Sequence, residues 1–378
     1  MERIHGASAV ESARCQIPEK GYIPFSFSIK ILKNTNSGMV EGEERRVAMK
    51  HRTTAGDQGS PVLDSIEKVV RESGWVSFHP EHIRPAVLEW SDLPEAQASW
   101  DHPPHYFDGG AETVRWIFVL DILNHCFWPD AGKPTWTVQY DGSSHSGYWG
   151  LAASLKRAME EGIPLTEAEF LADISSADLE RIFSGEGEIP LFHERLSNLR
   201  EAGRALQSLW EGDIVHLIEA AQSSAVRAVK LIVSSFPSFR DQPLYNGRMT
   251  YFWKRAQIFA ADLHAAFEGK AWGEFLDIAE LTAFADYKVP QVLRELGVLS
   301  YHPDLARKID SMELLEPGCE EEVEIRAMTV KAVEAFKEPF REVGKDITSI
   351  EIDNWLWQLG QLEPFRQRPY HRCRTIYY

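Results

Sequence analysis

"AETVRWIFVLDILNHCFW", residues 111–128, opens with Glu112 and Arg115 and then runs through Trp116, Ile117, Phe118, Val119 and Leu120 without a polar break. No polar stripe recurs along it at the 3.6-residue period. A helix that is apolar nearly all round belongs inside a molecule. The chain around it is also helical in pattern, from Val62 onward. "YWGLAASLKRAMEEGIPLTEAEFLADI" (148–174) predicts a helix stopping near Gly162-Ile163-Pro164. A second helix is expected from Thr166, with Glu169 three residues on as a capping box. Residues 195–235 hold two amphipathic helices. "YFWKRAQIFAADLHAAFEG" (251–269) places Phe252, Ala256, Phe259, Leu263 and Phe267 on one face, with Gly269 as the stop. "WGEFLDIAELTAFA" (272–285) places Phe275, Ile278, Leu281 and Ala285 on another. "EEVEIRAMTVKAVEAFKEPF" (321–340) and "ITSIEIDNWLWQLGQ" (347–361) complete a mostly α-helical chain.

The exception is "PTWTVQYDGSSHSGYWG" (134–150). Trp136, Val138 and Tyr140 alternate before a D-G turn, the pattern of a small β-hairpin inserted between helices. Residues 1–60 differ from everything after them. "NTNSGMVEGEERRVAMKHRTTAGDQGSP" (34–61) is polar, charged and aperiodic, so 1–60 reads as a disordered or loosely docked extension. Within it, "YIPFSFSIKIL" (22–32) has the composition to dock or form a short strand. Residues 61–378 then read as one helical domain.

Composition narrows the function. Of 378 residues, 44% are hydrophobic, with 12 Trp, so the chain can fill a substantial core. Net charge is −17, which opposes a surface that tracks nucleic-acid phosphates. A small phosphorylated ligand needs only a local cation cluster and stays admissible. Cys15, Cys126, Cys319 and Cys373 are widely spaced and form no C-x-x-C, so neither a metal site nor a redox pair is indicated. A reducing, intracellular and cytoplasmic setting is expected. No apolar run reaches membrane-spanning length. There is no P-loop, dinucleotide fingerprint, H-E-x-x-H or G-x-S-x-G elbow, and no cofactor is signalled.

Four stretches are candidates for chemistry. In "FADYKVPQVLRELGVL" (284–299), Pro290 suits the first position of a helix and Gly297 its stop. Asp286, with Tyr287 and Lys288, then falls in a turn between helices, as an Asx-type cap or as a catalytic carboxylate. In "FWKRAQ" (252–257), Lys254 lies beside the apolar face, either snorkelling to water or binding an anion in a cleft. In "DILNHCFWPD" (121–130), Asp121, Asn124 and Trp128 fall at i, i+3 and i+7 on one helical face. They satisfy one another, or they line a pocket where Phe127 or Trp128 stacks on a flat ring. In "FPSFRD" (236–241), Arg240 and Asp241 read as an ion pair in a loop. The end, "RPYHRCRTIYY" (368–378), is too aromatic for a loose tail, and its basic groups are expected in solvent.

Taken together, "LNHCFWPD" (123–130), "YDGSSHSGYWGLAASLKRAMEEGIPLT" (140–166), "FPSFRD", "FWKRAQI" (252–258), "FADYKVPQVLRELGVL", "EVEIRA" (322–327) and "HRCRTIYY" (371–378) resemble the queuosine salvage family, the queuosine 5′-phosphate N-glycosylase/hydrolases. The resemblance runs from about residue 62 to Tyr378. Trp253 and Lys288 depart from the family's pattern, which has Tyr and Arg there. The resemblance implies a helical fold related to helix-hairpin-helix DNA glycosylases. It implies hydrolysis of queuosine 5′-monophosphate to ribose 5-phosphate and queuine, a 7-deazaguanine base reused in transfer RNA modification. Asp286 then matches the catalytic carboxylate, and Lys254 faces the substrate phosphate. Asn124, Phe127, Trp128, Asp241, Tyr287 and Lys288 are expected to bind substrate. No metal, organic cofactor or stable nucleic-acid partner is expected. Two rivals remain at this level: a nucleic-acid glycosylase of the same architecture, and a non-catalytic queuosine- or tRNA-linked binding protein.

Overall fold

Ser60 accepts the amide of Leu63 at 3.5 Å and Pro61 follows it, a cap that opens helix α1 (Pro61–Glu72). It is the first element of a computed structural model that describes residues 60–90 and 100–378. The expected extension, including "YIPFSFSIKIL", lies outside the described residues apart from residue 60. Helix α2 (Ile83–Trp90) precedes α3 (Ala111–Leu123), the core of the opening stretch. From Trp116 to Leu123 no residue of α3 is more than 1% exposed, as an all-round apolar helix requires. Seven helices wrap the same core: α4 (Gly147–Glu160), α5 (Ala168–Asp173), α6 (Ser176–Ile182), α7 (Phe192–Leu209), α8 (Ile214–Ala221), α9 (Ala225–Ser235) and α10 (Lys254–Ala266). A second core is built by α1, α2, α11 (Lys288–Glu295), α12 (Pro303–Asp310), α13 (Glu320–Glu342) and α14 (Ser349–Leu359). The fold is mostly α.

The hairpin forms as its alternation predicts. Thr137–Tyr140 pairs antiparallel with Ser143–Ser146, with Val138 opposite His145. Asp141 (φ 48) and Gly142 (φ 74) supply the two left-handed turn residues that match strand twist. Among the described residues, three other two-stranded ladders are short. Among the described residues no helix is long and apolar enough to cross a membrane.

Several boundaries differ from the sequence pattern. The helix expected from Thr166 starts at Ala168 without a side-chain cap; Glu167 holds the N-cap position, and the Thr166 hydroxyl donates to Glu112. Capping boxes occur instead at Ser175/Asp178 and Thr348/Glu351. Residues 195–235 fall into three helices rather than two; Gly212 (φ 82) breaks the run and Asp213 caps α8. Helix α11 begins at Lys288, so Pro290 is its third residue, still among the orphan N–H positions where a missing donor is harmless. Helix α3 ends at Leu123, which removes Trp128 from the face of Asp121 and Asn124.

The largest difference is at 272–285, which is not a continuous helix. Two 3-10 turns, Ala271–Gly273 and Ile278–Glu280, lead into extended chain. Side chains replace the helical ladder there: Gln257 Oε1 accepts the Thr282 amide at 2.8 Å, and Asp353 Oδ1 accepts that of Phe284 at 2.9 Å. Extended geometry lets the strand-like run step between cores. Leu281 packs in the first, Ala283 and Ala285 in the second. Residues 252–254 cross the same seam, with Phe252 in the second core and α10 in the first.

Candidate active site

The loop after α3 forms one wall. A helix C-terminus leaves carbonyls unpaired, and here two fully buried arginines take them. Arg255 donates to Asp121 O (3.0 Å) and Ile122 O; Arg195 donates to Leu123 O, His125 O and Cys126 O (3.0 Å). Cys126 adopts φ 44, and its amide donates to Tyr378 O at 2.9 Å. The loop is thereby held rigidly, with Phe127 left half-buried. Trp128 is buried, its ring covered by the guanidiniums of Arg374 (4.0 Å to the centroid) and Arg372 (5.3 Å). The C-terminal stretch packs as its aromatic residues predict, but Arg374 is not a solvated group; it also pairs with Asp130. Of the two aromatic platforms read from sequence, Phe127 is the accessible one.

The opposite wall is the turn at Asp286. Its Oδ1 accepts the amides of Lys288 (2.7 Å) and Val289 (3.1 Å), so Asp286 does cap α11. Among the described residues, no donor is bonded to its Oδ2. Capping and chemistry are therefore compatible: one oxygen is fixed at a helix N-terminus, which stabilises an anion, and the other is available. Tyr287 stacks on Tyr370 at 4.9 Å. The Lys288 ammonium bonds Gln291 Oε1 at 3.2 Å and lies 5.2 Å over the Tyr370 ring.

Lys254 stands between the walls. It is the first residue of α10, after Trp253 in the left-handed region (φ 48), and is 6% exposed. Its side chain does not snorkel. Burial lowers the ammonium's pKa, opposed first by Asp286 and then by Asp121 and Asp353. Among the described residues, the ammonium has no hydrogen-bond or ion-pair partner. Three more carboxyl groups surround it. Burial, with Asp286 as a further cause, pushes Asp353 up to about 8. Burial pushes Asp262 up to about 7 and raises Asp121 well above the usual range. A carboxyl that is protonated does not compete with an anionic ligand for the Lys254 ammonium.

Asp241 sits one layer behind. Both its oxygens take the Arg326 guanidinium, at 2.9 and 2.5 Å, and Oδ2 also accepts the Lys254 amide at 3.4 Å. Arg326 is clamped between the rings of Phe252 (4.0 Å) and Tyr378 (4.4 Å). The Arg240–Asp241 pair expected from sequence is absent, because Arg240 caps the end of α9 through Val233 O and Ser234 O. The geometry thus gathers Asp286, Lys254, Asn124, Phe127, Tyr287 and Lys288, and gives Asp241 a supporting position. Asp262 and Asp353 were missed. Asp262 lies in "FAADLHAA", apolar but for His264, while Asp353 in "IEIDNWLW" has Glu351 and Asn354 beside it and does not stand out in the sequence.

Fold and site define a mostly helical protein whose polar centre, a carboxylate and a buried ammonium, lies at the seam of two cores. The model of the queuosine salvage protein family matches residues 104–378. A protein of Sphaerobacter thermophilus named queuosine 5′-phosphate N-glycosylase/hydrolase is 43% identical over 84% of this chain and 97% of its own. Proteins of the same name from Nematostella vectensis and Mus musculus are 40% and 36% identical, over 74% and 84% of this chain and 85% and 96% of theirs. The chain belongs to the queuosine salvage protein family.

Proposed function

We propose that this protein hydrolyses the N-glycosidic bond of queuosine 5′-monophosphate, releasing queuine and ribose 5-phosphate in the cytoplasm for queuine's return to transfer RNA. The observation that carries this reading is Asp286: one oxygen fixed by two amides, the other unbonded among the described residues, with the Lys254 ammonium in the same buried seam. Breaking a C–N bond to a sugar develops positive charge at the anomeric carbon. A fixed carboxylate beside that carbon stabilises the charge and orients the attacking water. Lys254 is assigned the substrate phosphate, as a point charge with no competing partner among the described residues. Phe127 is the stacking platform for the base, Asn124 a hydrogen-bonding group at its edge, and Tyr287, Lys288 and Trp128 shape the pocket. Asp241 orients the start of α10 through the Lys254 amide.

A relation to helix-hairpin-helix DNA glycosylases is part of the same reading, motivated by the helical architecture and the carboxylate at a helix start. A free nucleotide needs no flipping from a duplex, and net charge −17 disfavours a nucleic-acid substrate. The test is product analysis. Wild-type protein with queuosine 5′-monophosphate should give queuine and ribose 5-phosphate in equal amounts, and the nucleoside should react with lower kcat/KM. Equal kcat/KM for nucleotide and nucleoside would remove the phosphate site. No release of queuine would remove the activity.

A further inference from the structure

The reaction as described leaves one charge unattended. A 7-deazaguanine lacks the ring nitrogen through which purines accept a proton, so it departs as an anion. Asn124 offers that anion hydrogen bonds but no positive charge, and Lys254 is assigned to the phosphate. The wall that carries Phe127 contains a cation that the mechanism above does not use. Arg195, in the first turn of α7, is fully buried. Its Nε donates to Pro190 O at 2.8 Å. Its Nη1 donates to Leu123 O, and its Nη2 to His125 O and to Cys126 O at 3.0 Å. Every one of these partners is a carbonyl, and among the described residues no carboxylate pairs with the guanidinium. A buried charge normally has a counter-ion; here four neutral dipoles take that place. Burial pulls the pKa of Arg195 down to about 9, which leaves it charged at neutral pH.

The same guanidinium stands 5.3 Å over the Phe127 ring. Phe127 is half-buried and Arg195 wholly so, which leaves the other face of the ring for a ligand. A base stacked about 3.5 Å beyond that face lies roughly 9 Å from the guanidinium. The phenyl ring fills the gap, so no water screens the two. A unit charge at that range, in an effective dielectric of about 20, changes a rate by about twentyfold.

We propose that Arg195 supplies, across the Phe127 ring, the fixed positive charge that stabilises the departing base. The proposal rests on the glycosidic hydrolysis described above and on Phe127 as the base platform. In the balanced step the C1′–N bond breaks and its electron pair goes to the base, which leaves as an anion. A water oxygen bonds to C1′, and the water's proton passes to Asp286 and then to solvent. The departed base takes a proton from solvent, giving queuine. Arg195 touches no substrate atom. It is a positioning residue that fixes the platform and places charge behind it. The uncharged ring of the bound nucleotide gains little from that charge and the developing anion gains most, so the effect falls on kcat rather than KM.

The experiment measures kcat for the 5′-monophosphates of queuosine, 7-deazaguanosine and 7-cyano-7-deazaguanosine, with wild type, Arg195→Gln and Arg195→Lys. The cyano group withdraws electrons and makes its base the best leaving group of the three. Arg195→Gln removes the charge. It should lose about twentyfold on the first two nucleotides and less than about fivefold on the cyano nucleotide. Arg195→Lys keeps the charge but cannot reach all four carbonyls, so its loss should be the same factor on all three. An Arg195→Gln loss that is equal on all three overturns the proposal and leaves Arg195 holding the loop alone. An Arg195→Gln kcat within about threefold of wild type overturns it as well. So does a wild-type kcat that changes about tenfold for each unit of leaving-group pKa, the behaviour of a base departing unaided; that measurement decides even if neither variant folds. If wild type releases no queuine from queuosine 5′-monophosphate, the hydrolytic reading itself has failed.

Discussion

Lys254 is a buried ammonium at the positive end of its own helix, where a cation gains nothing from the backbone dipole. A residue kept there against burial and dipole calls for a ligand rather than a structural partner. Lys254→Met should therefore raise KM for the nucleotide and narrow its advantage over the nucleoside, with the melting temperature unchanged or raised. Unchanged discrimination between the two would remove Lys254 from the phosphate. Asp353 gives a linkage prediction. Its folded pKa, about 8, lies above the ordinary carboxyl value of 3.8. Such a group contributes stability that is complete below about 4 and is lost as pH rises through about 8. The wild-type melting temperature should thus fall between pH 5 and 8.5 more steeply than that of Asp353→Asn, which retains the acceptor for the Phe284 amide. Parallel slopes would show that Asp353 carries no such proton. At this scale Asp286, Lys254 and Asn124 were legible because each breaks an apolar or helical pattern in a short motif. Asp353, with Glu351 and Asn354 beside it, does not stand out in the sequence, and nothing in one dimension shows that it acts on Lys254.

Helices were legible where a face repeats. Phe259 and Leu263 of α10 and the apolar circumference of α3 are buried as their periodicity requires. The stretch 272–285 misled because Phe275, Ile278, Leu281 and Ala285 fit a helical face, while side chains distant in sequence, Gln257 and Asp353, supply its hydrogen bonds. Such tertiary replacement of a ladder leaves no local signal. Close helix contact is similarly silent. A Cβ added to Gly203 in α7 would lie 2.2 Å from Ala172 N and 2.6 Å from Ala168 O, all backbone atoms of α5. Although alanine favours helix, Gly203→Ala should destabilise by about 1–3 kcal/mol, because backbone must separate to admit the methyl. Chemical denaturation measures this, and a neutral or stabilising result would contradict the packing of α5 on α7. Asp286→Ala belongs to the same scale. Loss of the α11 cap should cost about 1 kcal/mol, whereas Asp286→Asn keeps an acceptor and should cost less.

The molecule places its polar centre where two cores meet, crossed by residues 252–254 and 281–286. Neither core alone holds both Lys254 and Asp286, and this seam was invisible to a reading that treated 61–378 as one helical run. The extension at 1–60 is proposed to be dispensable, since its polar composition buries too little apolar surface to offset chain entropy. A protein beginning at residue 58 should hydrolyse the nucleotide at nearly the full-length rate. Insolubility or a large loss of kcat would make the extension part of the catalytic body. The account as a whole depends on the charge at Asp286. Its most direct test is Asp286→Asn, compared with wild type for both kcat on queuosine 5′-monophosphate and equilibrium binding of that nucleotide. The substitution keeps size and cap and removes only the charge. The account predicts a kcat lower by on the order of 10²-fold or more, with binding and fold retained; a kcat within a few-fold of wild type would contradict it and leave Asp286 as a helix cap alone.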